Sequence, residues 1–313
     1  MVANSRVNVS PPRKEGLEYG LLSVVENRTG ERHWQNGVTW VNVCPDINST
    51  YEACLLGNAL GQPVTGIAAA PAKTATAARS IWGATPFTLK VQINCSPPGF
   101  WDEADENVER AFDQAEEVGI AEVFQTGTVA GTPNFQFPHL AAAGTLVDNI
   151  PGGATLQLQT ASLAPSGTGA ALDVVEALGK MEQALGACVH GKGIIHIAAE
   201  LLPHLRTNHV VDEVDGVLYS PNGHKIAASA GYTGAAPTGA LQVGVSWMYG
   251  TGPVFLYKSR AKFIGSEAAS LDRTVDTLRR LYERNYVIGY DCCLFAVPVS
   301  TGGVVTGVIN AAT

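Results

Sequence analysis

Residues 96–127 read SPPGFWDEADENVERAFDQAEEVGIAEVFQTG, and the rest of the chain is ordered around them. Pro97-Pro98-Gly99 is a breaker that a helix can follow but not precede. Beyond it, Trp101, Ala104, Val108, Phe112, Ala115 and Val118 recur in steps of three and four. That is one face of a helix of about five turns, expected over about 100–118. The opposite side is almost all carboxylate: Asp102, Glu103, Asp105, Glu106, Glu109, Asp113, Glu116 and Glu117, against a single Arg110. The first four crowd the opening turns, where the helix dipole favours negative charge. Taken alone, such a segment is a surface helix with a solvated acidic face.

The totals bound what such a helix can belong to. At 313 residues the length prior is about two domains. A hydrophobic content of 46% against 15% charged residues allows a sizeable core but is low in charge for a freely soluble monomer. The net charge of −8 argues against a chain that grips nucleic acid through its phosphates. No run of about 18 uninterrupted apolar residues offers a membrane span. The opening MVANSRVNVSPPRKEG lacks an apolar signal core, which argues against export. The glycosylation-type matches at Asn8, Asn27 and Asn48 are therefore read as chance. Cys44, Cys54, Cys95, Cys188, Cys292 and Cys293 show no metal-type pairing, so buried, reduced thiols are expected.

Upstream of the helix, residues 1–33 are polar and weakly patterned, an arm that needs a partner surface to become ordered. In HWQNGVTWVNV, from His33 to Val43, aromatic and β-branched residues flank Asn36-Gly37, the strongest short hairpin signal in the chain. Residues 44–85 are rich in Ala, Gly, Thr and Pro and poor in core formers. A segment of that length makes sense as an excursion that leaves the body and lies on something else. Phe87–Cys95 alternates as a strand that feeds the acidic helix.

Downstream, Pro133, Pro138 and Pro151-Gly152-Gly153 punctuate short strands, and 165–169 reads as a linker. Leu172, Val175, Leu178, Met181, Leu185 and Cys188 then share one helical face. GIIHIA at Gly193–Ala198 reads as a buried strand, and further strand runs follow to Ile264, so 165–264 forms an α+β unit. The segment after it is ambiguous. Leu271, Val275, Leu278, Tyr282 and Tyr286 fit a helix, yet from Val275 onward a period of two also fits, and Tyr286–Val299 is β-rich.

Chemical motifs are scarce. Gly186-x4-Gly191-Lys192 approaches a phosphate-binding loop, but a helix precedes it, a strand follows it, and Gly193 replaces the magnesium-holding hydroxyl. His190, His196, His204 and His209 have neither HExxH spacing nor cysteine pairs, which favours structural histidines over a metal site. Eight carboxylates on one exposed face are electrostatic rather than a separated acid and base. No nucleophile elbow is present. No catalytic, cofactor-binding or metal-ligating residue is assigned, and no enzymatic activity is expected.

The order of parts (arm, excursion, strand, acidic helix, α+β unit, return strand) resembles the major capsid proteins of tailed bacteriophages, the Hong Kong 97-type shell fold that encapsulin compartments share. In wording the chain is most similar to capsids of actinobacterial phages. The stretches that carry the likeness are residues 96–127, LDVVEALGKMEQALGACVHGKGIIHIAAELLPHL from Leu172, PNGHKIAASAGYTG from Pro221, SWMYGTGPV from Ser246 and ERNYVIGYDCCLFAVPV from Glu283.

The resemblance implies an α+β fold with an N-terminal arm at 1–33, an extended loop at 34–85, and a peripheral domain at 86–164 holding the spine helix. An axial domain at 165–264, a peripheral return strand at 265–300 and a C-terminal segment at 301–313 complete it. By the same resemblance 271–286 is strand. It implies an icosahedral phage head of hexamers and pentamers around double-stranded DNA, built in the host cytoplasm. A portal belongs to such a head, and decoration proteins can join it. Because the spine helix begins near residue 100, scaffolding is expected from a separate protein or not at all. The alternatives are an encapsulin-like compartment, or a decoration or tail protein.

The residues agree with this role. Low charge and a long small-residue excursion are explicable when neighbouring subunits cover them. Glu103, Glu106, Glu109 and Asp113 are then expected to keep the inner wall negative, so that packaged DNA slides instead of sticking.

Overall fold

A computed structural model describes residues 18–29, 33–42, 80–95, 101–129, 132–133, 137–150, 154–163, 171–264, 271–272 and 277–302. The first part of the arm, the body of the excursion (43–79), the linker (164–170) and the terminus (303–313) lie outside these residues.

The long strand Thr277–Tyr290 organises the first half of the fold. Phe87–Cys95 pairs antiparallel along one edge of it over nine residue pairs, from Tyr286↔Phe87 to Leu278↔Cys95. On its other side lie Val254–Lys258, Lys262–Ile264 and Leu271–Asp272, and Glu26–Arg28 adds parallel to Val254–Lys258. This six-stranded sheet settles the ambiguity in favour of strand at Leu271–Asp272 and Thr277–Tyr290. Leu278, Tyr282 and Tyr286 are four apart, but they are also all even-numbered, so helical and extended spacing coincide there.

A seven-stranded sheet makes the second half, in the order Asp212–Val214, Val217–Tyr219, Lys225–Ser229, Ile194–Ala198, Val245–Thr251, Leu294–Ser300, Ala161–Ser162. The helix Val174–Val189 lies on one face, with Leu178, Met181 and Leu185 packed among Ile195, Ile197, Met248, Val297 and Val299. Asp173 caps it by accepting from the Val175 amide at 2.9 Å. The alternate residues Ile194 and Ala198 turn to the other face and join the core that contains Phe124 and Tyr290. Pro221-Asn222-Gly223 turns between two strands as expected. Buried Glu182 holds this turn by accepting from Ser220 Oγ (2.5 Å), the Asn222 amide (2.9 Å) and Asn222 Nδ2 (3.0 Å).

Sheet membership does not follow the expected residue ranges. Val254–Ile264 belongs with the long strand, although the sequence groups it with 165–264. Leu294–Ser300 belongs to the seven-stranded sheet, although it follows the return strand directly. A two-stranded ribbon passes through both sheets, and each of its strands therefore changes sheet midway.

Three other expectations are corrected. Asn36-Gly37 is not a hairpin turn. Trp34–Asn36 form a 3₁₀ turn, Gly37 reverses the chain at φ 106°, and Val38–Asn42 pairs antiparallel with the distant Ser80–Ala84. The pairing places the two ends of the excursion side by side, rooted by Trp40 edge-on to Phe255 (4.9 Å) and Trp82 edge-on to Tyr290 (5.3 Å). The thiols are not all reduced: Cys188 and Cys293, 105 residues apart, form a disulfide with Cα atoms 6.3 Å apart. The helix ending near Cys188 lies against the strand that begins after Cys293, a proximity that only the topology creates.

The acidic helix, finally, runs from Trp101 to Thr126, well past residue 118. Its face changes character along the way. Glu106 and Asp113 are exposed, yet the same stripe seven residues on is Ile120, fully buried. Phe124 and Gln125 are buried as well. The first half is a surface helix and the second half is interior. Phe124→Ala is therefore expected to cost about 3–5 kcal/mol of stability. Asp113→Ala should stay within about 0.5 kcal/mol. Urea unfolding checks the pair, and equal effects would contradict the division.

Candidate functional surface: the long helix and the strand beneath it

The even-numbered residues of the long strand are Arg280, Tyr282, Arg284, Tyr286, Ile288 and Tyr290, and strand alternation puts them on one face. That face meets the helix. Arg280 grips Asp105 with two bonds, Nε to Oδ1 at 2.6 Å and Nη2 to Oδ2. Tyr282 stands edge-on to Phe112 at 5.3 Å. Arg284 Nη1 (2.5 Å) and the Tyr286 hydroxyl (2.7 Å) both donate to Glu116 Oε1. Tyr290 meets Phe124 at 6.2 Å. Helix and strand run in the same direction, and their lengths match: nineteen helical residues rise about 28 Å and ten extended ones about 33 Å.

The carboxylates thus divide in two, which corrects the expectation of one exposed acidic face. Asp105 and Glu116 face the arginines. Glu117 turns to the second sheet and accepts from the Leu21 amide at 2.6 Å and from Ser229 Oγ at 3.0 Å. Burial pushes the Glu117 carboxyl above its ordinary value, and those two hydrogen bonds oppose the shift. Glu106, Glu109 and Asp113 remain exposed on the outer side, and Glu122 is exposed on the opposite side of the helix. Glu103 lies on the helix, in a turn whose side chains fall outside the described residues. The inward carboxylates could have been found by pairing them with the alternating arginine–tyrosine pattern of 280–290, a signal that the helical reading of that segment hides.

The histidines do not converge. His190 ends the helix Val174–Val189 in a left-handed conformation, and His204 and His209 are exposed. His196 is buried between Tyr232 Oη and Thr251 Oγ1, each at 2.9 Å. Thr251 donates its own proton to the Gly252 carbonyl. His196 Nε2 must therefore donate to Thr251, while Nδ1 accepts from Tyr232. Among the described residues, no three His, Cys, Asp or Glu side chains are placed to hold a metal ion. No described helix is long and apolar enough to cross a membrane. Gly186 is in the last turn of the helix Val174–Val189, and Gly191-Lys192 connects that helix to the strand Ile194–Ala198, the order that disqualifies a phosphate loop.

The sequence matches no protein-family model and no curated protein. Its fold does match solved structures. The chain overlays the capsid protein of a native GTA particle with a TM-score of 0.53 at 11% identity, covering 96% of each chain. Looser overlays, which decide nothing between them, are the Microbacterium phage Oxtober96 (0.49, 10% identity, 96% of each chain) and the holo-SrpI encapsulin complex of Synechococcus elongatus PCC 7942 (0.46, 10%, 96% and 92%). At these identities the likeness is one of fold: a mixed helix-and-sheet chain with a capsid fold over nearly its whole length.

Two predictions test this surface. Arg284→Met leaves Glu116 buried without its cation and is expected to cost about 3–5 kcal/mol. Adding Glu116→Gln should recover part of that loss, and strictly additive losses in a double-mutant cycle would show that the pair does not interact. The second concerns pH. Burial holds His139, His196 and His224 below the ordinary histidine range, His196 at about 3. Unfolding returns each to about 6.5, so the unfolded chain binds protons that the folded chain refuses. Stability contributed by the neutral histidines is complete above pH 6.5 and is lost as pH falls towards 3. Glu117 and Asp291, both raised by burial, act oppositely, since lowering pH relieves the burial of their charges, but they are two groups against three. Denaturation at pH 7 and pH 4.5 should give the lower stability at pH 4.5, with a shallower dependence in His196→Gln. A flat wild-type profile would contradict the assignment.

Proposed function

We propose that the chain is the major capsid protein of a tailed-phage-type particle, a structural subunit that assembles with copies of itself into a closed icosahedral head around double-stranded DNA. The observation that carries this reading is the fold match to a capsid protein over 96% of both chains. In this reading residues 1–33 are the arm, and 34–85 the extended loop, whose two ends are joined by the pairing of Val38–Asn42 with Ser80–Ala84. Residues 86–164 and 265–300 supply the peripheral domain, with Trp101–Thr126 as its spine helix, except that the strands Ala161–Ser162 and Leu294–Ser300 lie in the sheet of the axial domain, which 165–264 supply apart from Val254–Ile264. Residues 301–313 complete the chain.

The role is architectural rather than catalytic, and the particle is a virion component assembled in a bacterial host. Hexamers and pentamers of this chain form the shell, with a portal and any scaffolding or decoration proteins as partners. Glu106, Glu109 and Asp113, with Glu103 a turn earlier, line the inner wall. The exposure of Glu106, Glu109 and Asp113 and the chain's net charge of −8 support a wall that repels DNA instead of binding it.

Expressed alone and viewed by negative-stain microscopy, the full chain should give large closed particles or curved sheets. Small oligomers would point to a decoration or tail protein instead. Packaged enzyme in place of DNA would point to an encapsulin-like compartment. Changing Glu103, Glu106 and Glu109 to Gln and Asp113 to Asn should leave shells intact and raise the DNA they retain after opening, and unchanged release would remove the inner-wall role.

A further inference from the structure

The ribbon that passes through both sheets is bent at one point. In the seven-stranded sheet Thr251 pairs with Leu294, and in the six-stranded sheet Val254 pairs with Tyr290. Between these pairs Gly252-Pro253 stand opposite Asp291-Cys292-Cys293. Three residues against two make a bulge, the device that bends paired strands. Cys292 takes φ 62°, a left-handed conformation that a side-chain-bearing residue seldom adopts. The two crossings touch: the Asp291 amide donates to the Pro253 carbonyl at 3.0 Å, and a Cβ on Gly252 would collide with the Asp291 carbonyl. Around them there is open space. Pro253 and Val254 border two grooves of about 490 Å³ and 400 Å³, and Asp291 lines the second. Cys293, buried at this bend, is bonded to half-buried Cys188 in the last turn of Val174–Val189.

We propose that Cys188 and Cys293 are a redox latch on the joint between the two sheets, free to bend when the thiols are reduced and fixed when they are oxidised. The bond ties the bulged crossing to the end of a helix that is itself packed across the seven-stranded sheet. Closing it removes the freedom of the bend relative to that sheet. Packing holds the rest of each sheet with or without the bond. At the bulge the pairing of the two strands is interrupted, and the grooves border it, so the bond makes its largest difference there.

The closing reaction uses a low-molecular-weight disulfide as oxidant. The accessible Cys188 thiolate attacks one of its sulfurs, and a thiolate leaves. The Cys293 thiolate then attacks Cys188 Sγ in the mixed disulfide, the intramolecular bond forms, and the second thiolate leaves. The two cysteines lose two electrons and two protons, and the oxidant gains them as two thiols. Reducing cytoplasm keeps the latch open, and release into an oxidising medium closes it. Resting on the capsid reading, this means subunits that can adjust the angle between their two halves during assembly and are stiffened afterwards.

The test uses the full chain equilibrated with reduced or oxidised glutathione, followed by peptide mapping and hydrogen–deuterium exchange. Oxidised protein should yield the Cys188–Cys293 linked peptide. Its amides at 251, 252, 254 and 290–294 should exchange about tenfold more slowly than in the reduced protein, with Ile194–Ala198 unchanged. Cys188→Ser should exchange at the reduced rate in both buffers, and Cys293→Ala repeats the measurement if that variant folds poorly. Unbridged cysteines in oxidised glutathione, or equal exchange at the joint in the two buffers, would overturn the latch. Particle formation is scored separately, so that absence of shells in both buffers counts against the capsid reading alone.

Discussion

One contact runs through the whole of the first half of the molecule: a strand that alternates arginine and tyrosine, laid along a helix that answers with carboxylate and phenylalanine. Each partner needs the other. Arg280 and Arg284 are largely buried, and a buried guanidinium is tolerable only when a carboxylate meets it in good geometry. Asp105 and Glu116 supply that geometry eleven residues apart on a helix, opposite two arginines four residues apart on a strand. The rings between them, Phe112 and Tyr282, stand edge-on to each other and pack the space between the two pairs. A slip of one residue in the strand would turn every one of these groups to the wrong side. The ion pairs therefore define the register of helix on sheet more than they add net stability.

The same helix links the two halves of the fold. Past Glu117 its outer stripe turns from acid to Ile120 and Phe124, and the helix enters the core that also contains the inner face of the seven-stranded sheet. Glu117 marks the change, bonded to the Leu21 amide on one side and to Ser229 on the other. A buried carboxylate with a raised pKa costs stability at neutral pH, and its retention is explained by the donors it satisfies, which would otherwise be buried without partners. The helix is thus a surface element where charge was needed and a core element where contact between the halves was needed.

Much of this was legible from the residues. The strand Phe87–Cys95, both long helices, the buried strand at Ile194 and the turn at Pro221-Asn222-Gly223 all have local signals, and local signals survive folding. What could not be read came from long range. Asn36-Gly37 has hairpin chemistry, but the partner of Val38–Asn42 lies beyond the excursion, and no turn signal encodes that. Cys188 and Cys293 are brought together by a helix crossing a sheet. The acidic face looked uniform because helical periodicity separates one side from the other and says nothing about what covers each turn. Of the four residues expected to line a wall, Glu106, Glu109 and Asp113 are on the open side, while their neighbours Asp105 and Glu116 are not.

A subunit of a closed shell has to meet two demands that oppose each other. It must be rigid enough that contacts made at one edge orient the next, and able to sit in pentamers and hexamers, whose geometries differ. Helix and strand locked by alternating charge and ring contacts satisfy the first, because a shift of one along the other would separate Arg280 and Arg284 from the carboxylates they meet. The second can be met only where such interlocking is absent. On the proposed capsid reading, the place for it in this chain is the bulged ribbon between the sheets, where the strands change partners and one backbone conformation is strained. The place of the bulge follows from the topology, since a ribbon shared by two sheets must leave one of them before it can join the other.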